Sequence, residues 1–182
     1  MKSNKLVALI RGINVGTAKR VPMADLRALV ESLGYSNVHT LLNSGNVVFD
    51  AYGTRPRDTA ACIEAGLASR VGVSARVTVL TAKELADAVS DNPLARIADN
   101  PSRLLVCFLA DATDRSRLAP LTKRDWTPES LAIGKRVAYL WCPPGIIASR
   151  LQEAIGRILG DAVTTRNWAT VIKLHALRHR GD

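Results

Sequence analysis

The sequence predicts an α+β chain built from two successive βαββαβ halves, and three observations predict it. Short apolar runs alternate with segments of helical spacing in a fixed order over residues 5–80. The same order returns over residues 102–166. In the first half the first and third runs are continuously apolar, while the second and fourth mix polar and apolar residues. That difference separates strands buried on both faces from half-exposed ones.

Leu6-Val7-Ala8-Leu9-Ile10 is the first buried strand. After a glycine-containing loop, Pro22-Met23-Ala24-Asp25-Leu26 with Leu29, Val30 and Leu33 gives a helix of about three turns. Pro22 suits its first turn and Gly34 its stop. Val38-His39-Thr40-Leu41 reads as a half-exposed strand, Asn43-Ser44-Gly45-Asn46 as a tight turn, and Val47-Val48-Phe49 as a second buried strand. Ile63, Leu67 and Val71 mark one face of a second helix that Gly72 ends. Ala75, Val77 and Val79 alternate with Arg76 and Thr78 in a fourth strand. The ferredoxin-like arrangement accommodates this order with strands one and three central and two and four at the edges.

A linking helix from Ala82 to Val89 stops before Pro93. The second half then opens on the apolar strand Leu104–Leu109, with a weak helix at Leu118 and Leu121. Glu129–Ile133 and Val137–Trp141 read as a hairpin about Gly134-Lys135 with glycine first. Ile147, Leu151, Ala154, Ile158 and Leu159 form an amphipathic helix. Ala162–Thr165 is a short edge strand, and Asn167 caps a last helix through about Leu177. The expected domains are therefore 1–91, a ferredoxin-like half with the linking helix, and 92–182, a second half with the terminal helix.

Composition narrows the classes of function. With 182 residues, 47% hydrophobic and 23% charged, the chain can bury a sizeable core. No apolar run approaches 18 residues, the length of a membrane-spanning helix. The apolar run after Lys5 is too short for a secretory signal, and Cys62, Cys107 and Cys142 lie too far apart for a disulfide framework or a clustered zinc site. A cytoplasmic setting is expected. The net charge is +9. Residues 1–91 hold 11 Lys/Arg against 8 Asp/Glu, and residues 92–182 hold 14 against 8. A basic balance favours anionic partners such as phosphates, nucleotides or nucleic acid, and equally suits a solubility charge.

The most informative stretch is Arg11-Gly12-Ile13-Asn14-Val15-Gly16-Thr17-Ala18-Lys19-Arg20, with three cations (Arg11, Lys19 and Arg20), two glycines and no acid. Glycines let backbone amides approach an anion, and Lys and Arg neutralise it. The stretch is neither a dinucleotide fingerprint nor a Walker loop. In the ferredoxin-like order the turn between strands two and three sits at the C-terminal end of strand one. Arg11, Gly12, Asn14, Gly16 and Lys19 should therefore share a sheet end with Ser44, Gly45 and Asn46 as ligand-binding residues. Arg166 and Asn167, ahead of Trp168 and the last helix, form a second candidate anion contact. His175 and His179 have metal-ligand spacing but no Glu between them and no third ligand nearby, so no metal is expected.

No catalytic residue is assignable from the sequence. Ser44 lies a few residues from His39, but no G-x-S-x-G elbow or tight carboxylate pair accompanies them. Cys62, in an amphipathic helix, and Cys107, in an apolar strand, are expected to be buried and inert. Cys142, before Pro143-Pro144, is expected to be the most reactive thiol. Strand one carries no aromatic and strand three only Phe49, so an RNA-recognition stacking platform is missing.

Four segments carry a family resemblance. Val7–Gly16, Val21–Arg27, Ser44–Phe49 and Thr165–Trp168 with Thr170, Val171, Lys173 and Leu174 resemble, in that order, domain of unknown function family 1697. Pro144-Gly145 through Ser149-Arg150-Leu151 is also similar, with Arg150 where Lys is more common. The resemblance implies a bacterial protein of two ferredoxin-like halves and no known activity, cofactor or substrate. The functional expectation is binding of a small phosphorylated or nucleotide-like anion at the strand-one loop and adjacent hairpin. A nucleic-acid-binding surface and a protein-interaction module without catalysis fit the same composition.

Overall fold

Strand β1 (Asn4–Ile10) is buried on both faces: Leu6, Ala8 and Ile10 enter one core, and Val7 and Leu9 on the opposite face are also fully buried. That is the outcome expected of a continuous apolar run. The computed structural model describes residues 3–17 and 19–177. His179, Arg178 and Arg180 lie outside the described residues.

Two units divide the chain, residues 1–85 with 174–182 and residues 86–173. In the first, α1 (Met23–Ser32) follows Pro22 and turns Leu26, Leu29 and Val30 inward at helical spacing. Strands β2 (Ser36–Leu41) and β3 (Asn46–Ala51) form the hairpin, α2 (Pro56–Gly66) returns across the sheet, and β4 (Val77–Thr81) closes it. The sheet order is β2-β3-β1-β4, all neighbours antiparallel. The two apolar strands are central, as read from the sequence.

Gly66 explains how closely α1 and α2 approach, because a Cβ there would lie 2.8 Å from Leu29 Cδ1. Beyond it the helix widens into a single π turn over Leu67–Val71, which Gly72 ends in a left-handed conformation (φ 72°). Strand β4 departs from expectation. It lies at an edge, yet Val77, Thr78, Val79 and Leu80 are all buried, so its alternation does not mark an exposed face.

Residues 82–177 repeat the plan, their first and last helices each crossing a boundary between the units. Helix α3 (Ala82–Ser90) precedes a 3-10 turn at Pro93–Arg96, whose Leu94 amide is capped by Asn92. Strands β5 (Leu104–Leu109), β6 (Ser130–Ile133), β7 (Val137–Trp141) and β8 (Val163–Asn167) make an antiparallel sheet in the order β6-β7-β5-β8. The weak helix at Leu118 and Leu121 is α4 (Arg115–Leu118) between two 3-10 turns, and both leucines are buried. Helix α5 (Arg150–Leu159) buries Leu151, Ile155 and Leu159. Helix α6 (Trp168–Leu177) starts at an Asn167 cap that accepts from the Thr170 amide at 2.9 Å.

Two local readings need correction. Gly134 donates its amide to Val137 O at 2.8 Å, so the hairpin tip is Lys135-Arg136 and not Gly134-Lys135. Gly134 serves close packing instead, since a Cβ there would lie 2.8 Å from Val137 Cγ2. Ile147 falls before α5 and is fully exposed; its position matched the helical spacing by chance.

Candidate functional site

The loop after β1 is fastened at both of its neighbours. Ile10 donates its amide to Gly45 O at 2.8 Å, and Arg11 donates to Arg76 O at 2.9 Å. The chain then leaves the sheet through left-handed residues: Gly12 (φ 67°), Asn14 (55°), Gly16 (63°) and Lys19 (50°). Asn14 donates its amide to Lys19 O at 3.1 Å, closing the loop upon itself.

The Asn14 side chain is the bracket of this construction. Its Nδ2 donates to Val21 O at 2.8 Å and to Asn43 O at 2.7 Å, and its Oδ1 accepts from the Val21 amide at 2.8 Å. Both side-chain protons are thus committed, one to each end of the joint between loop and turn. Asn14 therefore builds the site by holding other groups in place.

The turn side is equally specified. Gly45 (φ 77°) is buried, and a Cβ on it would lie 2.7 Å from Ile13 Cδ1 and 2.9 Å from Ile10 Cβ. Only glycine allows that approach. Asn46 is fully buried, and its Nδ2 donates to Leu41 O and Ser44 Oγ, both at 2.9 Å. The sharing of one sheet end by the loop and the turn, inferred from strand order, is thus a set of direct bonds.

Around this frame Gly12, Gly16, Lys19 and Arg20 are exposed, and Arg11 is half-buried. Cβ atoms built on Gly12 or Gly16 would meet nothing within 4 Å, so open space faces their backbone. Neither residues 11–20 nor 42–45 include an acid. This end of the sheet carries the cationic side chains of Arg11, Lys19 and Arg20 beside exposed glycine backbone. It offers no assembled nucleophile: Ser44 Oγ is held by Asn46, and His39 is exposed on edge strand β2.

Arg166 and Asn167 belong to the second unit. Arg166 lies on β8, donates Nη1 to Thr165 O at 2.9 Å, and burial pushes its guanidinium down to about 10. Asn167 is the α6 cap, and Trp168 is half-buried at the first residue of that helix.

The cysteines are placed differently from expectation. Cys62 is exposed, because on α2 it sits one residue off the Ile63 face. Cys142 is fully buried: its amide continues the ladder to Arg103 O at 3.0 Å, and its Sγ donates to Ser149 Oγ at 3.3 Å. Burial pushes the Cys142 thiol up to about 11 and the Cys107 thiol up to about 12. Of the three expectations only the burial of Cys107 stands.

A polar network unremarked in the sequence surrounds Cys142. The buried Glu129 carboxylate accepts from Ser149 Oγ, from the Arg150 amide at 2.9 Å and from the Leu151 amide at 3.4 Å. Ser149 Oγ in turn caps α5 by accepting from the Gln152 amide at 3.0 Å. Arg150 donates Nη2 to Trp126 O and Thr127 O, both at 3.2 Å. The Ser149-Arg150-Leu151 motif is thereby accounted for as the attachment of a loop to a helix start. Among the described residues no three His, Cys, Asp or Glu side chains group to hold a metal, and no helix is long and apolar enough to cross a membrane.

Residues 3–139 match the family described as protein of unknown function (DUF1697). Among solved structures, one described as the structure of conserved bacterial protein SP0830 from Streptococcus pneumoniae is similar with a TM-score of 0.80. It shares 21% identity over 97% of this chain and 99% of that one, a likeness of fold. No curated protein matches the chain.

Proposed function

Because the chain belongs to the family described as protein of unknown function (DUF1697), whose description carries no activity, we propose its function from its own site: binding of a small phosphorylated or nucleotide-like anion at the β1–α1 loop and the β2–β3 turn. One observation carries this reading. The Asn14–Asn43 and Ile10–Gly45 bonds fasten an acid-free loop bearing Arg11, Lys19 and Arg20 to an acid-free turn. A loop whose backbone is already fastened loses less conformational entropy when it engages an anion than a mobile loop would. Backbone amides beside exposed Gly12 and Gly16 supply neutral donors to the same region.

Calorimetric titration with inorganic phosphate, sugar phosphates and nucleoside phosphates tests the reading. Replacing Arg11 or Lys19 with Ala should weaken the best ligand about tenfold, the loss of one charge-assisted contact. Replacing Arg55, which is paired with Asp58 at 2.7 Å on α2, should change it less than about twofold. Equal losses at all three positions would refute a localised site. A steep fall of affinity with salt would transfer the function to a nucleic-acid surface, because many phosphates would then be engaged.

A further inference from the structure

Two exposed apolar side chains stand on the two segments that Asn14 joins. Val15 is 71% exposed and follows Asn14; Leu42 is 48% exposed and precedes Asn43, whose carbonyl the Asn14 amide reaches. In the described residues of the first unit the exposed large apolar side chains are Val15, Leu42 and Tyr52. Two of the three therefore flank one hydrogen bond.

Leu42 is unfavourable on a second count. Its φ of 58° is left-handed, where a leucine Cβ crowds the following carbonyl and where Asn or Gly rests with less strain. An Asn at position 42 would relieve the backbone and remove exposed apolar surface together. A strained, exposed leucine in the turn that Asn14 joins to the cation-bearing loop has a physical use when something apolar covers it. Lys19 shares the left-handed conformation (φ 50°) and lies in the same loop, so one cation and one apolar side chain are held in this manner at one sheet end.

Resting on the anion-binding reading above, we infer that the ligand of this site is an amphipathic phosphate monoester, whose charged head meets the Arg11–Arg20 cations and whose apolar body covers Val15 and Leu42. The chemistry is the same whether the monoester is a free molecule or a lipid headgroup with its chains.

The matched probes are methyl phosphate and hexyl phosphate, which carry the same head and differ only in apolar length. Hexyl phosphate should bind the wild-type chain about tenfold tighter, the effect of roughly two buried methylenes. Val15→Thr with Leu42→Asn should reduce that preference, read as the ratio of the two affinities, to under about twofold. Ile147→Ser, at an exposed isoleucine of the second unit, should leave the preference intact. Sedimentation with phosphatidylcholine vesicles, with and without phosphatidic acid, identifies the source: selective co-sedimentation with the acid vesicles means a bilayer, and hexyl phosphate binding alone means a free monoester. Equal affinity for the two probes in the wild-type chain, or a preference untouched by the double variant, would overturn the inference. If methyl phosphate binding is insensitive to Lys19→Ala, the underlying anion site fails instead, so the two failures are distinguishable.

Discussion

In the first unit the path from β1 to α1 takes residues 11–22, passes through four left-handed positions among its described residues and is bracketed by Asn14 onto a turn from the next hairpin. In the second unit β5 is followed almost at once by a 3-10 turn at Ala112–Asp114, capped by Asp111, which accepts from the Thr113 amide at 2.8 Å. Its hairpin cation, Arg136, donates to Leu109 O and Ala110 O, each at 3.0 Å, over the end of β5. The two sheets have the same strand order. At the second sheet end an acid caps amides and an arginine covers carbonyls, so local backbone groups are satisfied by local side chains. At the first, Asn14 brackets the loop to the turn and Asn46 holds Leu41 O, while Lys19 and Arg20 face solvent. On equal scaffolds the two units thus differ in what their loops present, and loops vary more readily than the elements that they connect.

Glycine replacement should break this contrast most forcefully. Gly45→Ala combines a left-handed backbone with Cβ contacts of 2.7 and 2.9 Å, one of them to a Cβ atom that cannot swing aside. We expect a loss of about 4 kcal/mol, from left-handed strain and overpacking together. At the hairpin of the second unit, Gly134→Ala meets Val137 Cγ2 at 2.8 Å, with Tyr139 Cε2 at 3.4 Å and Val137 O at 3.5 Å in ordinary contact, and has no left-handed φ, so a loss of about 1 kcal/mol is expected. Urea unfolding of both variants measures the difference; equal losses would show that the two hairpins are built alike.

The anchoring of the second unit lies elsewhere, at Glu129. Glu129→Ala would strip partners from the Ser149 hydroxyl and the Arg150 and Leu151 amides. The expected loss is about 3 kcal/mol, because buried donors would be left unmatched. Lys19→Ala, on an exposed side chain, should stay within about 0.5 kcal/mol. If both cost the same, the division between a binding loop and a structural network collapses.

These residues also show what a sequence discloses. The apolar runs Leu6–Ile10 and Val47–Phe49 gave away the central strands, because a strand buried on both faces admits few polar residues. The pairing of loop and turn followed from strand order alone. Asn14 and Glu129 were not legible in their roles, since their partners lie 29 and about 20 residues away and no local pattern encodes such contacts. Cys142 was misread because Pro143-Pro144 signals a loop, while the residue just ahead of it still continues the β7 ladder inward. Leu42 was hidden among turn residues, where φ is not written in the sequence.

The buried thiols predict a pH response confined to the second unit. Cys107 and Cys142 have an ordinary value of 9.0 and are held at about 12 and about 11 by burial. Below pH 9 both states keep the proton and nothing is lost. Above it the unfolded chain ionises first, so stability falls as pH rises, by about 1.4 kcal/mol per thiol between pH 8 and 10. Cys142→Ala should remove about half of that fall, and Cys62→Ala none of it, since Cys62 is exposed. In native protein a thiol reagent should label Cys62 first. Preferential labelling of Cys142 would contradict its burial.

The smallest effect concerns where backbone strain resides. Among the described residues the non-glycine positions with left-handed backbone are Asn14, Lys19, Asn37 and Leu42, and all four lie in the first unit. Asn37 shows an inexpensive way to hold that conformation: it is an asparagine, and its Nδ2 donates to Asp50 Oδ2 at 2.7 Å. Leu42 has neither advantage, being half-exposed and unable to bond its own backbone through its side chain. Leu42→Asn should therefore stabilise the protein, by about 1 kcal/mol, through relief of left-handed strain. Asn37→Leu should cost about as much or more, since it adds strain and leaves Asp50 without that donor. Urea midpoints of the two variants give opposite signs if strain at Leu42 is retained for a reason other than stability. A destabilised Leu42→Asn would mean that the leucine is held by packing, and the first sheet end would then be no more strained than the second.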